Sequence, residues 1–168
     1  MQDLAEVVAA LSRRVEQLED ERAIRDILCK YALAVDGNNA DAMADLYAED
    51  CEIDIDAVAF FNGREDAKRI VTGEAHQSIL PNCAHIMGPF AIAIDGTSAV
   101  ATGYATIFVR EDGAVGVWRQ AYGRWELTKR DGRWQILKRQ SRSTGRVESM
   151  ALLNAAFGDM AGPPPSQV

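Results

Sequence analysis

The sequence predicts one α+β domain, in which helices come first and pack on a curved, mainly antiparallel sheet. Three observations support this fold class. Apolar residues recur at helical spacing through residues 4–35, whereas residues 83–143 alternate between apolar and polar and are interrupted by Asp-Gly turns. The length of 168 residues suits a single domain. Helices followed by strands indicate segregated layers, which is the α+β arrangement.

Residues 1–19 are predicted to form a helical extension ahead of the domain. Its apolar residues are spaced alternately four and three apart, as in a short coiled coil: Leu4, Val8, Leu11, Val15 and Leu18. Because an isolated helix of this length is marginal in water, we expect it to dock on the domain or on a neighbouring subunit. The protein is therefore expected to be a homo-oligomer, either a trimer or a dimer.

The predicted domain, residues 20–158, starts with helices. A second helix over residues 21–35 should end at the Asp-Gly-Asn-Asn sequence of residues 36–39, because Gly and Asn readily take the left-handed conformation that closes helices. Three shorter elements are predicted next: a helix over residues 41–47, a strand over residues 51–55 and a helix over residues 63–74.

Four long strands are predicted in the second half of the chain. Asp-Gly pairs, which supply the positive φ of tight hairpin turns, occur at residues 95–96, 112–113 and 131–132. They separate the predicted strands at residues 83–94, 99–110, 115–129 and 133–143. Residues 147–157 predict a last helix, and residues 159–168, which include three consecutive prolines, predict a flexible tail.

Composition argues against several classes of protein. A net charge of −7 and a pI near 4.8 do not suit nucleic-acid binding, and no apolar stretch has membrane-spanning length. The N-terminus lacks the pattern of a secretory signal, so we expect a cytoplasmic protein whose three scattered cysteines are reduced. Basic residues concentrate between Arg119 and Arg146, and we interpret them as the solvent face of strands.

Asp36 is a candidate catalytic residue. It follows an apolar run at the C-terminus of the predicted second helix, where the helix dipole disfavours an anion by about 0.3–1 kcal/mol. The alternative is that Asp36 and Gly37 simply form a solvent-facing turn.

His85 is the second candidate. It lies in a strand-like segment of uncharged residues and is one of only two histidines. A core histidine that hydrogen-bonds a backbone carbonyl is the alternative, and His76, in a polar loop, is predicted to be solvated. Since the sequence has no HxH, HExxH or nucleotide-binding motif, we predict neither a metal nor a cofactor.

The chain resembles the SnoaL-like branch of the NTF2-like superfamily. The resemblance covers roughly residues 20–143 and is carried by four segments, residues 24–36, 41–50, 85–88 and 125–136. It implies the cone-shaped fold. It specifies the reaction poorly, because the superfamily includes isomerases, dehydratases, cyclases, dehydrohalogenases and non-catalytic subunits.

A narrower likeness is to scytalone dehydratase, hexachlorocyclohexane dehydrochlorinase and bile acid 7α-dehydratase. It implies that Asp36 and His85 form a catalytic dyad within hydrogen-bond reach, and that Tyr31 is a pocket tyrosine. The chain departs from scytalone dehydratase at Ala105 and Ile55, which stand in place of a histidine and a tyrosine. Near the position of the bile acid enzyme's late arginine it has Ser143. The substrates of these enzymes are therefore not implied.

The resemblance implies a lyase that removes a proton beside an electron-withdrawing group and expels water or a related leaving group. Its substrate would be a small hydrophobic molecule, and this class includes cyclic compounds. Pocket walls are predicted from large side chains expected on the inner face of the sheet: Tyr104, Trp118, Met87, Phe60 and Phe108. An isomerase using the same pocket, and a non-catalytic subunit like the small subunit of ring-hydroxylating dioxygenases, are the alternatives.

Overall fold

A computed structural model describes residues 3–160 of the chain. The helices are α1 (Leu4–Asp36), α2 (Ala40–Ala44), α3 (Arg64–Ala67), α4 (Arg69–Thr72), α5 (Glu74–Gln77) and α6 (Val147–Met160). The strands are β1 (Tyr47–Ile55), β2 (Ala59–Asn62), β3 (Cys83–Asp95), β4 (Ser98–Glu111), β5 (Ala114–Arg130) and β6 (Arg133–Ser143). None of the helices in residues 3–160 is long and apolar enough to cross a membrane.

The six strands form one curled sheet in the order β2-β1-β6-β5-β4-β3. Every neighbouring pair is antiparallel except β1 and β6, which run parallel. The four long predicted strands and their hairpins are confirmed. Asp112 and Asp131 take positive φ together with the glycines that follow them, as the turn chemistry requires. The predicted α+β class is confirmed as well.

The core lies between α1 and the inner face of the sheet. Buried α1 side chains, among them Ile24, Leu28 and Val35, pack against inward-facing side chains of β4, β5 and β6. The inner face also contains small residues that leave room for neighbouring groups. At Gly103 of β4, a Cβ atom would lie 2.2 Å from the carbonyl oxygen of Pro89, so no larger residue fits without a backbone shift.

The first two predicted helices are one continuous helix, α1. The sequence from Leu4 to Asp36 contains no Gly or Pro, and the side chains of Glu21 and Arg25 bridge the expected break with a 2.7 Å ion pair. Every residue from 3 to 19 is exposed. The first residue of α1 that is tied to the sheet is Asp20, which is half-buried and accepts hydrogen bonds from Lys129 and Trp134, both at 2.7 Å.

Several shorter elements differ from the prediction. The helix expected over residues 63–74 is divided into α3, α4 and α5, and strand β2 was not predicted. The helix expected over residues 41–47 is α2 alone, because Tyr47 already starts β1. Asn38, not Gly37, takes the left-handed conformation after α1, with a φ of 53°.

Helix α6 packs against the outer face of the sheet. Its residue Asp159 forms an ion pair with Arg124 of β5, and its Leu152 and Ala156 are buried. The helix extends to Met160, so Asp159 and Met160 are helical and do not begin the flexible tail that was predicted from residue 159. The rest of the predicted tail lies outside the described residues.

Deletion of residues 1–19 is expected to lower the oligomeric mass without unfolding the domain. The seam residues of α1 are 52–75% exposed, so removing them costs the domain no buried contact, whereas a subunit interface formed by them would be lost. Light scattering gives the mass and thermal unfolding gives the stability. An unchanged mass would contradict the role of this segment in oligomer formation.

Candidate active site

A cavity of about 350 Å³ lies between the C-terminal half of α1, the short helices α4 and α5, and the inner face of the sheet. Its apolar wall includes Ile55, Phe61, Ile70, Ile79 and Ile107. Its polar wall includes Tyr31, Asp56, Arg69, His76, His85, Arg119 and Arg139. A wider groove of about 500 Å³ lies beneath α6 but contains no histidine or cysteine, so we place the candidate site in the inner cavity.

Asp36 and His85 are in direct contact at the edge of this cavity. The Nδ1 atom of His85 lies 2.6 Å from Oδ1 of Asp36, and the backbone N–H of His85 donates to Oδ2 at 2.8 Å. The thiol of Cys83 donates to Oδ1 at 3.6 Å. Three donors from β3 thus hold the carboxylate at the end of α1 and offset the unfavourable helix dipole.

This arrangement sets the tautomer of His85. A carboxylate only accepts hydrogen bonds, so Nδ1 carries the proton and Nε2 has a free lone pair. Burial lowers the pKa of His85 below its ordinary 6.5, although the Asp36 carboxylate opposes that shift. At neutral pH the imidazole is therefore uncharged and able to accept a proton on Nε2.

Tyr31 lies on α1 one and a half turns before Asp36 and also lines the cavity. Its hydroxyl accepts a 2.6 Å hydrogen bond from Nη1 of Arg139, and its ring packs edge-on against Trp125 at 5.1 Å. Because the phenol oxygen accepts from Arg139, its own proton remains available for donation. The residue can therefore hydrogen-bond an oxygen of a ligand.

Arg139 and Arg119 were not predicted as cavity residues. Their segment was interpreted as the solvent face of strands, which is wrong for both. Arg139 is buried, and Arg119 reaches Asp56 at 2.9 Å. The reason at Arg139 is a β-bulge: Leu127 pairs with Ile136 but Glu126 pairs with Lys138, so one extra residue turns Arg139 inward.

His76 was predicted to be solvated, and this prediction is also wrong. Its side chain is buried on the short helix α5, and Nε2 donates to the backbone carbonyl of Val35 at 3.0 Å. The His76 and His85 rings are 5.7 Å apart. The chain therefore places both of its histidines in the wall of the cavity.

The predicted wall residues lie in different places. Trp118 lines the cavity. Met87 faces inward, opposite Ala105, but packs on the core beyond the cavity. Tyr104, Phe108 and Phe60 belong to the outer face, because each alternates with a buried inward neighbour. The prediction that these last four residues form the cavity wall is wrong.

Asp36, Cys83 and His85 offer three potential metal-ligand atoms within 4.8 Å of one another. All three atoms already make hydrogen bonds. The 2.6 Å separation of Nδ1 and Oδ1 is shorter than the roughly 3 Å expected between two ligands of one zinc ion. Burial, with Asp36 nearby, raises the pKa of the Cys83 thiol and so keeps it a hydrogen-bond donor. These residues fit a hydrogen-bonded pair better than a metal site.

Comparison with solved structures identifies relatives of the same fold. An NTF2-like protein with a cystatin-like fold from Novosphingobium aromaticivorans is 28% identical, with a TM-score of 0.82 over 91% of this chain and 98% of that one. A candidate scytalone dehydratase from the same organism is 23% identical, with a TM-score of 0.67 over 76% and 86%.

A hexachlorocyclohexane dehydrochlorinase from Novosphingobium barchaimii is 18% identical, with a TM-score of 0.67 over 78% of this chain and 90% of that one. Among curated proteins, none is significantly similar. The sequence profile of the SnoaL-like domain matches residues 16–140, which is most of the chain. The predicted resemblance is thereby confirmed, and the chain belongs to the SnoaL-like domain family.

Proposed function

We propose that the protein is a cofactor-independent lyase, a dehydratase or a related elimination enzyme, acting on a small hydrophobic substrate, cyclic molecules included. Asp36 and His85 would be the general-base dyad, and Tyr31 the hydrogen-bond donor. One observation carries the proposal: the 2.6 Å contact between His85 Nδ1 and Asp36 leaves a neutral Nε2 at the wall of an apolar cavity.

The proposed reaction starts with proton abstraction. His85 Nε2 takes a proton from a carbon beside a carbonyl or another electron-withdrawing group, and the electrons of that C–H bond form a new carbon–carbon double bond. The leaving group on the adjacent carbon departs with its bonding electrons. A hydroxyl group takes up the proton held by the His85 imidazolium and is released as water, whereas a halide leaves as the free anion and His85 returns its proton to solvent. Asp36 stabilises the imidazolium, and Tyr31 donates a hydrogen bond to the oxygen on which negative charge develops.

Structural neighbours support this reaction class at the level of the fold. Two of them are named for a dehydratase and a dehydrochlorinase, and both reactions are eliminations. The cavity is also consistent with a compact apolar substrate, because much of its wall consists of large aliphatic and aromatic side chains.

Incubation with cyclic β-hydroxy ketones in deuterium oxide tests the proposal. 3-Hydroxycyclohexanone is a suitable first member of the panel, since loss of water gives an absorbing enone. The expected result is an enone product that has lost one water, formed by the wild type and not by a folded His85→Ala variant. A product that keeps the hydroxyl group, with a hydrogen moved or replaced by deuterium, would identify an isomerase. Turnover that is independent of His85 would contradict the dyad.

The non-catalytic alternative predicts different behaviour. A small subunit should co-purify with a larger partner, and that association should be indifferent to His85→Ala. The lyase proposal instead expects activity from the purified chain alone.

A further inference from the structure

Arg139 is a buried cation that lines the cavity. Only 6% of its surface is exposed, and its guanidinium stays protonated because its pKa lies far above neutral pH. Among the described residues, Tyr31 alone accepts a hydrogen bond from it. Its Nε atom and the hydroxyl group of Tyr47 are both buried without a hydrogen-bond partner among the described residues.

Aromatic rings offset only part of the cost of burying this charge. The guanidinium carbon lies 4.8 Å from the centre of the Tyr31 ring and 4.6 Å from that of the Trp125 ring. Cation–π contacts of this kind are weaker than the desolvation penalty of an ion removed from water. Buried charges in folded proteins are normally paired with an opposite charge.

The acidic side chains around the cavity are already engaged. Asp56 binds Arg119 at 2.9 Å and accepts from the backbone N–H and hydroxyl of Ser143 at 2.6 and 2.9 Å. Asp36 is held by His85 and Cys83. Within residues 3–160, Arg139 forms no ion pair with an acidic side chain. At this point of the cavity wall, a bound anion would therefore balance the charge of Arg139.

We propose that the substrate supplies this anion, as a carboxylate that binds Arg139 while its apolar body lies against Ile55, Phe61 and Ile107. The inference rests on the proposed function and narrows its substrate class to a small hydrophobic acid. Arg139 and His85 line the same cavity. A carboxylate bound there holds the substrate beside the base, so Arg139 is a specificity-determining residue.

Binding of trans-cinnamate and of its neutral amide, cinnamamide, tests this substrate class. The two probes share a flat apolar body and differ in charge, and calorimetric titration measures each dissociation constant. We expect the wild type to bind cinnamate about 10- to 100-fold more tightly than cinnamamide, because hydrogen bonds between charged groups in a desolvated site are strong. Sodium chloride titrated alone distinguishes a substrate carboxylate from a simple anion site.

The Arg139→Gln variant is expected to lose the preference for cinnamate. Arg130→Gln is the matched control, since Arg130 is exposed, pairs with Asp50 and lies outside the cavity. It should retain most of the preference. Arg139→Gln should also unfold at the same temperature as the wild type or a higher one, because it removes an unpaired buried charge. A lower unfolding temperature would show that Arg139 serves the fold, and would overturn the proposal.

Three further outcomes would overturn the substrate class. The first is equal binding of the two probes, and the second is binding of neither probe. The third is that chloride alone fills the site and thereby prevents cinnamate from binding. Neither probe has an acidic hydrogen beside its carbonyl, so the measurement does not depend on turnover. If the binding measurement contradicts the carboxylate substrate, the lyase proposal still stands. If turnover is independent of His85, the lyase proposal is contradicted, but the preference of the cavity for cinnamate is unaffected.

Discussion

Replacement of Asp36 by asparagine is expected to lower turnover by about 10²- to 10⁴-fold, the range for loss of a working general base. Both carboxylate oxygens accept hydrogen bonds, Oδ1 from His85 Nδ1 and Oδ2 from the His85 backbone N–H. An asparagine can accept at only one of these places. Because the backbone N–H cannot change its role, the amide group would turn towards Nδ1 and donate to it.

The consequence is an inverted tautomer. With Nδ1 as the acceptor, the proton of the neutral imidazole moves to Nε2, and the nitrogen that faces the substrate can no longer take a proton. Asp26→Asn is the matched control, because Asp26 lies on the exposed side of the same helix and should leave turnover unchanged. The rate of enone formation is the measurement. A folded Asp36→Asn protein with wild-type turnover would contradict the dyad.

Replacement of Trp125 by alanine is expected to destabilise the protein by about 3–5 kcal/mol, the usual cost of truncating a buried tryptophan. Trp125 is only 1% exposed and is central to the core. Its ring also contacts Tyr31 and the guanidinium of Arg139, so both cavity residues would lose a packing surface. Urea or thermal unfolding measures the change in the free energy of unfolding.

Trp118→Ala provides the comparison on the same strand. Trp118 lies at the β4–β5 bulge and is 47% exposed, so its truncation should cost less than about 1 kcal/mol. Similar losses for the two variants would show that the core is not centred on Trp125.

The fold was predictable because its long elements carry strong local signals. Strands β3 to β6 are bounded by Asp-Gly turns, and in two of these turns, at Asp112-Gly113 and Asp131-Gly132, both residues take the predicted positive φ. The continuous helix α1 was divided in the prediction because its polar stretch near Asp20 resembles a boundary. A charged segment without Gly or Pro can nevertheless remain helical when its side chains pair along the helix.

The candidate site was predictable only in part. Asp36 and His85 were identified by combining an unusual carboxylate with a resemblance to known enzymes, and their contact is within the distance that a dyad requires. The inward position of Arg139 could not be predicted from strand alternation. A β-bulge without a recognisable sequence signal reverses the side of the sheet to which its side chain points. His76 was missed because its partner, the Val35 carbonyl, is distant in sequence.

The outer-face aromatics show the same limit. Tyr104 and Phe108 are large aromatic residues of the kind that line pockets, but they point to the outer face of β4, where Ala105 and Ile107 face inward. The type of side chain does not tell which alternating set of residues on β4 faces inward. That assignment requires knowing which face of the sheet α1 covers.

The protonation state of the His85 ring, followed by ¹⁵N NMR across pH, tests the central claim most directly. A His76→Gln variant distinguishes the two histidine signals. We expect Nδ1 to be protonated and Nε2 unprotonated at pH 7, with a titration midpoint below 6.5, since burial lowers the pKa of His85. The same shift means that the contribution of His85 to folding stability is complete above pH 6.5 and is lost as the pH falls through that lower midpoint. A proton on Nε2 at pH 7, or a midpoint at or above 6.5, would contradict a neutral base held by Asp36.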